Sequence, residues 1–454
     1  MHPRRMLTLP AIAGLTIILA DRLLWDASLG LGASLMALAV GSCLIARGTP
    51  DPAAWAAVGI SAILLVVDPG LLAAMLALLL LSAAALRARG WYASGPAAAV
   101  GAIIAAVLRA LPRLPHDARI CRRLRTSRPS LASWILPLLG ATVFLVLFGL
   151  GNPLIGRWWG AFGDWLSSIG LPTPGRIAMW WTTLVVVWAM ARIRGRLTPV
   201  IAEAVVREPD PDWTVRCLIC FNAVFVLQNT CDVVYLWGGA GLPDGLTFAA
   251  YAHRGAYPLV ATALLAGAFV MICVRPGGLT ERSPLARWLV LGFLAQTVIL
   301  AVSSWWRLDL YVEAYGLSRW RLAALIWMGL VALGLLLIAV RIGGLRSSRW
   351  LIEANAWTLS GALLLTALGD ADGLIARHNV ERSLAAEATF DLGYTASLGP
   401  AALPSLERYV AVYRDPDAIR EVARLRSELK EGLADWRAWT CRRWLIRHTL
   451  AHFP

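Results

Sequence analysis

QNTCDVVYLWGGAGLPDGLTFAAYAHRGAYP, residues 228–258, is the stretch from which the rest of the chain is read. It begins inside an apolar segment, near 214–237, that is long enough to cross a bilayer. Gln228, Asn229, Thr230, Asp232 and Tyr235 crowd the second half of that segment. On a helix Gln228, Asp232 and Tyr235 stand at i, i+4 and i+7 and share a face. A carboxylate at membrane depth costs several kcal/mol unless it is paired or wetted. Asp232 is therefore expected to face a bundle interior or a polar cavity. The competing reading is an interhelical hydrogen-bond cluster that only fixes packing. GGAGLPDG, residues 238–245, then breaks the helix and carries Asp244, because its glycines and Pro243 continue a helix only at a cost. No Lys-Ser/Thr pair follows Gly245, so this is not a phosphate loop. AAYAHRGAYP follows with His253, a potential proton carrier, and Arg254, a potential anion ligand. The bland alternative is a snorkelling Arg254 and a turn-capping His253.

Composition agrees with a membrane setting. The 454 residues are 58% hydrophobic, only 15% charged, and have a mean hydropathy of +0.64. The net charge of +14 is almost all arginine, with Lys430 the single lysine. Most arginines sit in short loops between apolar runs, which is the positive-inside pattern rather than a nucleic-acid surface. The 22 Trp suit interfacial belts. The seven cysteines are scattered, and Cys217 and Cys220 have no partner pair at metal spacing, so neither a metal nor a cofactor is expected.

Apolar runs near 7–25, 28–46, 53–67, 70–86, 91–110, 131–150, 176–192, 214–237, 256–274, 287–306, 320–341 and 350–369 predict an all-α polytopic bundle of about 12 spans. The expected organisation is N-terminal spans and a basic loop in 1–130, a core bundle in 131–369, and a small helical tail in 370–454. Arginine-rich loops after the seventh, ninth and eleventh runs, with the loop 109–128, set one face toward the cytoplasm. The N-terminal third conflicts with this: five full spans would put the 109–128 loop outside. The tail holds a helix from Asp415 and, at 433–452, a basic aromatic helix suited to a membrane surface or to packing on the tail itself.

Two more polar groups stand out. Gln296, Ser303 and Arg307 share a helical face, and RLDLYVEAYG adds Asp309 just beyond it. GDADGLIARHNVER, after the last run, carries Asp370, Asp372, Arg377 and Asn379. Span parity places both groups on the face that also receives the 238–255 loop. Hydrolase, metalloprotease, P-loop and dinucleotide motifs are absent, and Asp370-x-Asp372 matches a metal-binding DxD only superficially.

The stretches YAHRG, WRLDLYVEAYGL and DGLIARHNVER, within residues 175–400, resemble the bacterial membrane family called domain of unknown function 4173, which is similar in turn to domain of unknown function 4153. The resemblance implies an integral protein of the bacterial cytoplasmic membrane and assigns no activity. The first five runs show no counterpart. The expectation is a transport or ligand-sensing protein. An outward polar cavity would be drawn from Gln228, Asp232, Tyr235, Asp244, His253, Arg254, Arg307, Asp309, Asp370, Asp372, Arg377 and Asn379. Its partners would be the lipid bilayer and a small-molecule or lipid-linked ligand. The alternatives are a transferase acting on a lipid-linked or envelope substrate and a non-catalytic scaffold.

Overall fold

The computed structural model describes residues 3–110 (without 47 and 50), 172–192, 211–238, parts of 262–270, and 282–451 (without 345 and 387–389). All regular elements among them are helical. The first group is α1 (Pro3–Leu23), α2 (Leu31–Ile45), α3 (Pro52–Val67), α4 (Leu71–Arg87), α5 (Pro96–Ala110) and α6 (Pro174–Arg192). The second is α7 (Pro211–Cys231), continued by a π-helical turn (Asp232–Trp237), then α8 (Pro284–Tyr315), α9 (Arg319–Gly343) and α10 (Ser348–Leu368). The tail comprises α11 (Ala371–Ala386), α12 (Leu392–Ser397), α13 (Leu403–Tyr413), α14 (Pro416–Ala434) and α15 (Cys441–Ala451).

Local chemistry explains the helix starts. Asp51 caps α3 by accepting from Ala53 N at 3.0 Å, with Pro52 at the first helical position. Ser283, Ser318 and Ser347 cap α8, α9 and α10 in the same way. Between α8 and α9 the chain turns at Gly316, whose φ of 78° favours glycine.

Among the described residues four helices are long and apolar enough to cross a membrane: Pro211–Val234, Pro284–Tyr315, Arg319–Gly343 and Ser348–Leu368, of 24, 32, 25 and 21 residues. The sequence expectation of about twelve spans is thus matched at four positions, while the run at 131–150 and most of that at 256–274 lie outside the described residues. The runs at 28–46, 53–67, 70–86 and 91–110 form helices of only 15, 16, 17 and 15 residues. At 1.5 Å per residue these reach roughly 22–26 Å, short of a hydrocarbon core of about 30 Å. The helices at 31–45 and 96–110 are shorter than their apolar runs, 28–46 and 91–110, whereas those at 52–67 and 71–87 are as short as the runs at 53–67 and 70–86.

Hydrogen bonds fix which helix ends lie together. At one end Arg87 bonds Asp51 at 2.7 Å, Thr49 N bonds Ala88 O, and Glu353 accepts from Ala97 N and Ala98 N at the start of α5. Arg349 reaches Ser94 there, and Arg341 and Arg346 lie nearby in the α9–α10 connection. We term this the basic end. At the opposite end the tail docks on the α1–α2, α3–α4 and α10–α11 junctions. Leu31 N donates to Trp439 O at 2.8 Å, and Arg437 donates to Trp25 O at 3.1 Å. A side chain at Gly30 would stand 2.6 Å from the Trp439 carbonyl, so the close approach requires glycine. α5 starts at the basic end, so its far terminus points toward the tail end, keeping the odd helix count that set charge pattern against span parity. Residues 111–128 lie outside the described residues.

Four apolar clusters carry the packing among the described residues, the smallest of them joining Leu64 of α3 and Ala73 of α4 to Ala367 of α10. One joins α1–α6, a second joins α7–α10, and a third holds the tail together and takes in Val312 and Leu317 from the bundle. In α14, Val422, Leu425 and Leu429 repeat at helical spacing and belong to the tail cluster, with Ala418 buried one turn earlier, while Arg424 and Glu421 pair at 2.8 Å on the wet side.

Candidate functional site

The α7–α8 seam builds the site from its helix register. Asn222 donates to Leu218 O at 2.7 Å and to Leu289 O at 3.1 Å, and accepts from Gln296 Nε2 at 2.7 Å. Seven residues on, Asn229 donates to Gln296 O at 3.1 Å. Three further on, the Asp232 carboxylate meets the Arg307 guanidinium in an ion pair. The partners on α8 rise with those on α7, so the two helices run parallel, both from the basic end toward the tail end.

The Asp232–Arg307 pair is almost wholly buried, at 0% and 3% side-chain exposure. Gln228 Nε2 donates to Asp232 Oδ1 at 2.9 Å, one helical turn earlier. The backbone widens at this point: the π-helical turn starts on Asp232 and closes with Gly238 N on Val233 O at 2.8 Å. Such turns re-aim side chains and concentrate at functional sites. Removing two charges from water costs several kcal/mol per ion, which only close pairing and further hydrogen bonds offset. Around Asp232 the sequence supplies both, from Arg307 across the seam and Gln228 along the helix.

The polar residues singled out from sequence fall into distinct places. Gln228, Asp232 and Arg307 meet. Asp372 binds Arg319 through two bonds of 2.7 and 2.8 Å, and Asn379 clamps the α8–α9 turn by accepting from Leu317 N at 2.7 Å and donating to Leu317 O at 2.9 Å. Asp370 joins a different group: Arg442 of α15 contacts it at 3.1 Å, bonds Asp68 at 2.8 Å, and donates to Gly369 O at 2.7 Å. Asp309 and Arg377 are exposed and reach neither cluster among the described residues. The Tyr235 side chain, Asp244, His253 and Arg254 lie outside the described residues.

A cavity of about 320 Å³ opens at the tail end, lined by Asp68, Asp372, Arg442 and Arg443 with Ser28 and Thr440. Burial pushes the Asp68 carboxyl up from the usual range, Arg442 pulls it back, and Asp370 and Asp372 add to the rise. Among the described residues no three His, Cys, Asp or Glu are placed to hold a metal ion.

Sequence reasoning missed Asn222, Asp68 and Arg442. Asn222 had a signal, since it precedes Asn229 by seven residues on the same face. Asp68 and Arg442 are 374 residues apart, and no local pattern joins them.

Apolar helices of spanning length around a buried ion pair define an all-helical protein of membrane type. A family model matches residues 52–409, and the chain belongs to that family, a domain of unknown function (DUF4153). The family is the second of the two related ones that the sequence resembled. Its match begins at α3, so family likeness extends well before residue 175 and takes in three of the first five apolar runs. No curated protein and no solved structure matches the chain.

Proposed function

We propose that this chain is a multi-pass protein of a bacterial cytoplasmic membrane that transports or senses a small polar solute, with the basic end in the cytoplasm and the tail end outside. The observation that carries the reading is the Asp232–Arg307 pair, buried to 0% and 3% exposure inside an apolar helix pair. Charges held at membrane depth are costly and mark substrate or ion pathways by default. Arg87, Arg89, Arg341, Arg346 and Arg349 belong to helix ends and connections at the basic end, which supports the orientation. On this reading Tyr235, Asp244, His253 and Arg254 contribute to the same outward site as Gln228 and Asp232.

The test is restoration of growth and envelope integrity in a strain lacking the gene. A double variant, Asp232→Val with Arg307→Met, keeps the seam apolar and filled while removing both charges. Expected is a folded protein that does not restore the phenotype. Full restoration would show that the pair only fixes packing, leaving the scaffold.

A second reading has its own observation. The tail-end cavity places Asp68 and Asp372 beside Arg442 and Arg443. Paired carboxylates and guanidinium groups suit a transferase acting on a lipid-linked or envelope substrate. Asp372→Asn together with Asp68→Asn tests it: loss of function with the Asp232–Arg307 double variant still active favours the transferase.

A further inference from the structure

Three oxygen atoms on the α7–α8 seam are buried and have no hydrogen-bond partner among the described residues: Asn229 Oδ1, Gln296 Oε1 and Ser303 Oγ. Asn229 is 8% exposed and Ser303 0%. Buried oxygens of this kind are rare in folded proteins, and each calls for a partner such as an ordered water or an ion. Ser303 is the telling member. The neighbouring hydroxyls of Thr230, Thr297 and Ser304 each donate to the carbonyl four residues back, at 2.8, 2.7 and 2.8 Å. Ser303 makes no such bond, although the same helix offers it one.

The three atoms form a row. Gln296, Ser303 and Arg307 lie on one face of α8, opposite Asn222, Asn229 and Asp232 on α7. From Asp232 back to Phe225 the row covers roughly 10 Å at 1.5 Å per residue. Its upper limit is the Asp232–Arg307 pair, toward the tail end. Its lower limit is apolar: Phe225 packs on Phe293 at 4.7 Å between ring centroids, Phe221 on Phe269 at 5.0 Å, and Phe269 on Phe293 at 6.3 Å. Below these rings Leu218 and Val290 are both buried at 0% exposure. Polar wall thus gives way to a dry plug part-way along the helix pair.

We infer that the α7–α8 seam is a half-channel for water and small hydrated cations, entered from the tail end past Asp232–Arg307 and closed toward the basic end by the phenylalanine cluster. Neutral amide and hydroxyl oxygens replace hydration for water and small cations, and the two amide acceptors, Asn229 Oδ1 and Gln296 Oε1, outnumber the one free hydroxyl donor of Ser303. Ringed apolar constrictions close such paths by excluding water. The inference deepens the transport reading and rests on it for its purpose, but hydration of the seam is measured separately.

The experiment uses sealed membrane vesicles, an impermeant cationic methanethiosulfonate reagent, and the full chain with its seven native cysteines replaced by alanine. Asn229→Cys and Ser303→Cys test the seam. Leu227→Cys and Val302→Cys are controls at similar depth, since those side chains are 67% and 44% exposed on the outer faces of the same helices. Water-facing thiols ionise and react, so the seam cysteines should label at least about tenfold faster than the controls, from the tail end only. Phe293→Ala should extend labelling to Asn222→Cys. Seam cysteines that label no faster than the controls would overturn the proposal and leave a dry hydrogen-bonded zipper. If the cysteine-free chain does not stay monodisperse, radiolytic hydroxyl labelling of the native protein reads the same point. Leu300 and Leu351 are each 1% exposed, and only Leu300 lies on the face of Gln296 and Ser303. Greater oxidation at Leu300 supports the half-channel, and equal protection refutes it. A hydrated seam with a fully active Asp232–Arg307 double variant would refute transport through the pair and keep the half-channel. A dry seam with an inactive double variant would do the reverse.

Discussion

Replacing Arg307 with Met removes the guanidinium from a carboxylate with no exposed surface. Gln228 Nε2 remains at 2.9 Å, but a neutral amide does not replace a positive charge. Breaking a buried pair by removing one partner costs about 3–5 kcal/mol. An independent bound agrees: a carboxyl of ordinary pKa near 3.9 can be held neutral at pH 7 for about 4 kcal/mol, at 1.4 kcal/mol per unit. The penalty is therefore capped near that value. Asp232→Val in the same chain removes the remaining charge, and the double variant should return to within about 1 kcal/mol of the parent, because apolar replacement of a buried pair is often neutral or stabilising. The assay is unfolding in mixed micelles followed by tryptophan emission, for all members of the double-mutant cycle. A cost below about 1 kcal/mol for Arg307→Met, or single penalties that simply add in the double variant, would refute a desolvated, tightly coupled pair.

Other consequences follow from single contacts. Arg442→Gln loses the clamp that joins Asp68, Asp370 and the Gly369 carbonyl; limited proteolysis should then cut the 433–440 region faster while α7–α10 stay protected. Ser318→Ala deprives Arg321 N of its cap and should lower stability by about 1 kcal/mol in the same unfolding assay. Asn379→Ala leaves Leu317 N and O without their side-chain partners and should cost about 1–3 kcal/mol, with Asn379→Asp restoring the bond to Leu317 N only. The Arg87 guanidinium, helped by the Ala53 amide, holds the Asp51 carboxyl below its usual range. A depressed acid stabilises the fold above its unfolded pKa and loses that contribution as pH falls through the folded value. The α3–α4 hairpin should thus weaken below about pH 4, and Asp51→Asn should flatten that part of a pH–stability profile.

Much of the fold was legible before any coordinates. Spanning length and apolar content marked 214–237, 287–306, 320–341 and 350–369, and helices of 21 to 32 residues occupy them. The shared face of Gln296, Ser303 and Arg307 followed from helical spacing, as did that of Gln228 and Asp232. Hydropathy overstated the runs at 28–46 and 91–110, whose helices have 15 residues each, because Ala- and Leu-rich sequence satisfies a window average whether or not its ends are helical. The chain before Leu31 and before Pro96 decides the length, and it depends on which neighbour the helix start meets, the Trp439 carbonyl for α2 and Glu353 for α5.

By itself the sequence determined an all-helical chain, the basic and acidic connections, and the expense of placing Asp232 in an apolar helix, since each follows from composition or from periodicity along one segment. Only the tertiary structure decided what offsets that expense. Arg307 lies 75 positions away, and parallel packing of two long helices brings its guanidinium to the carboxylate. The same packing turns Asn229, Gln296 and Ser303 into one polar row above four phenylalanine rings. Partner choice across a helix interface depends on register, and no periodicity within either helix encodes it.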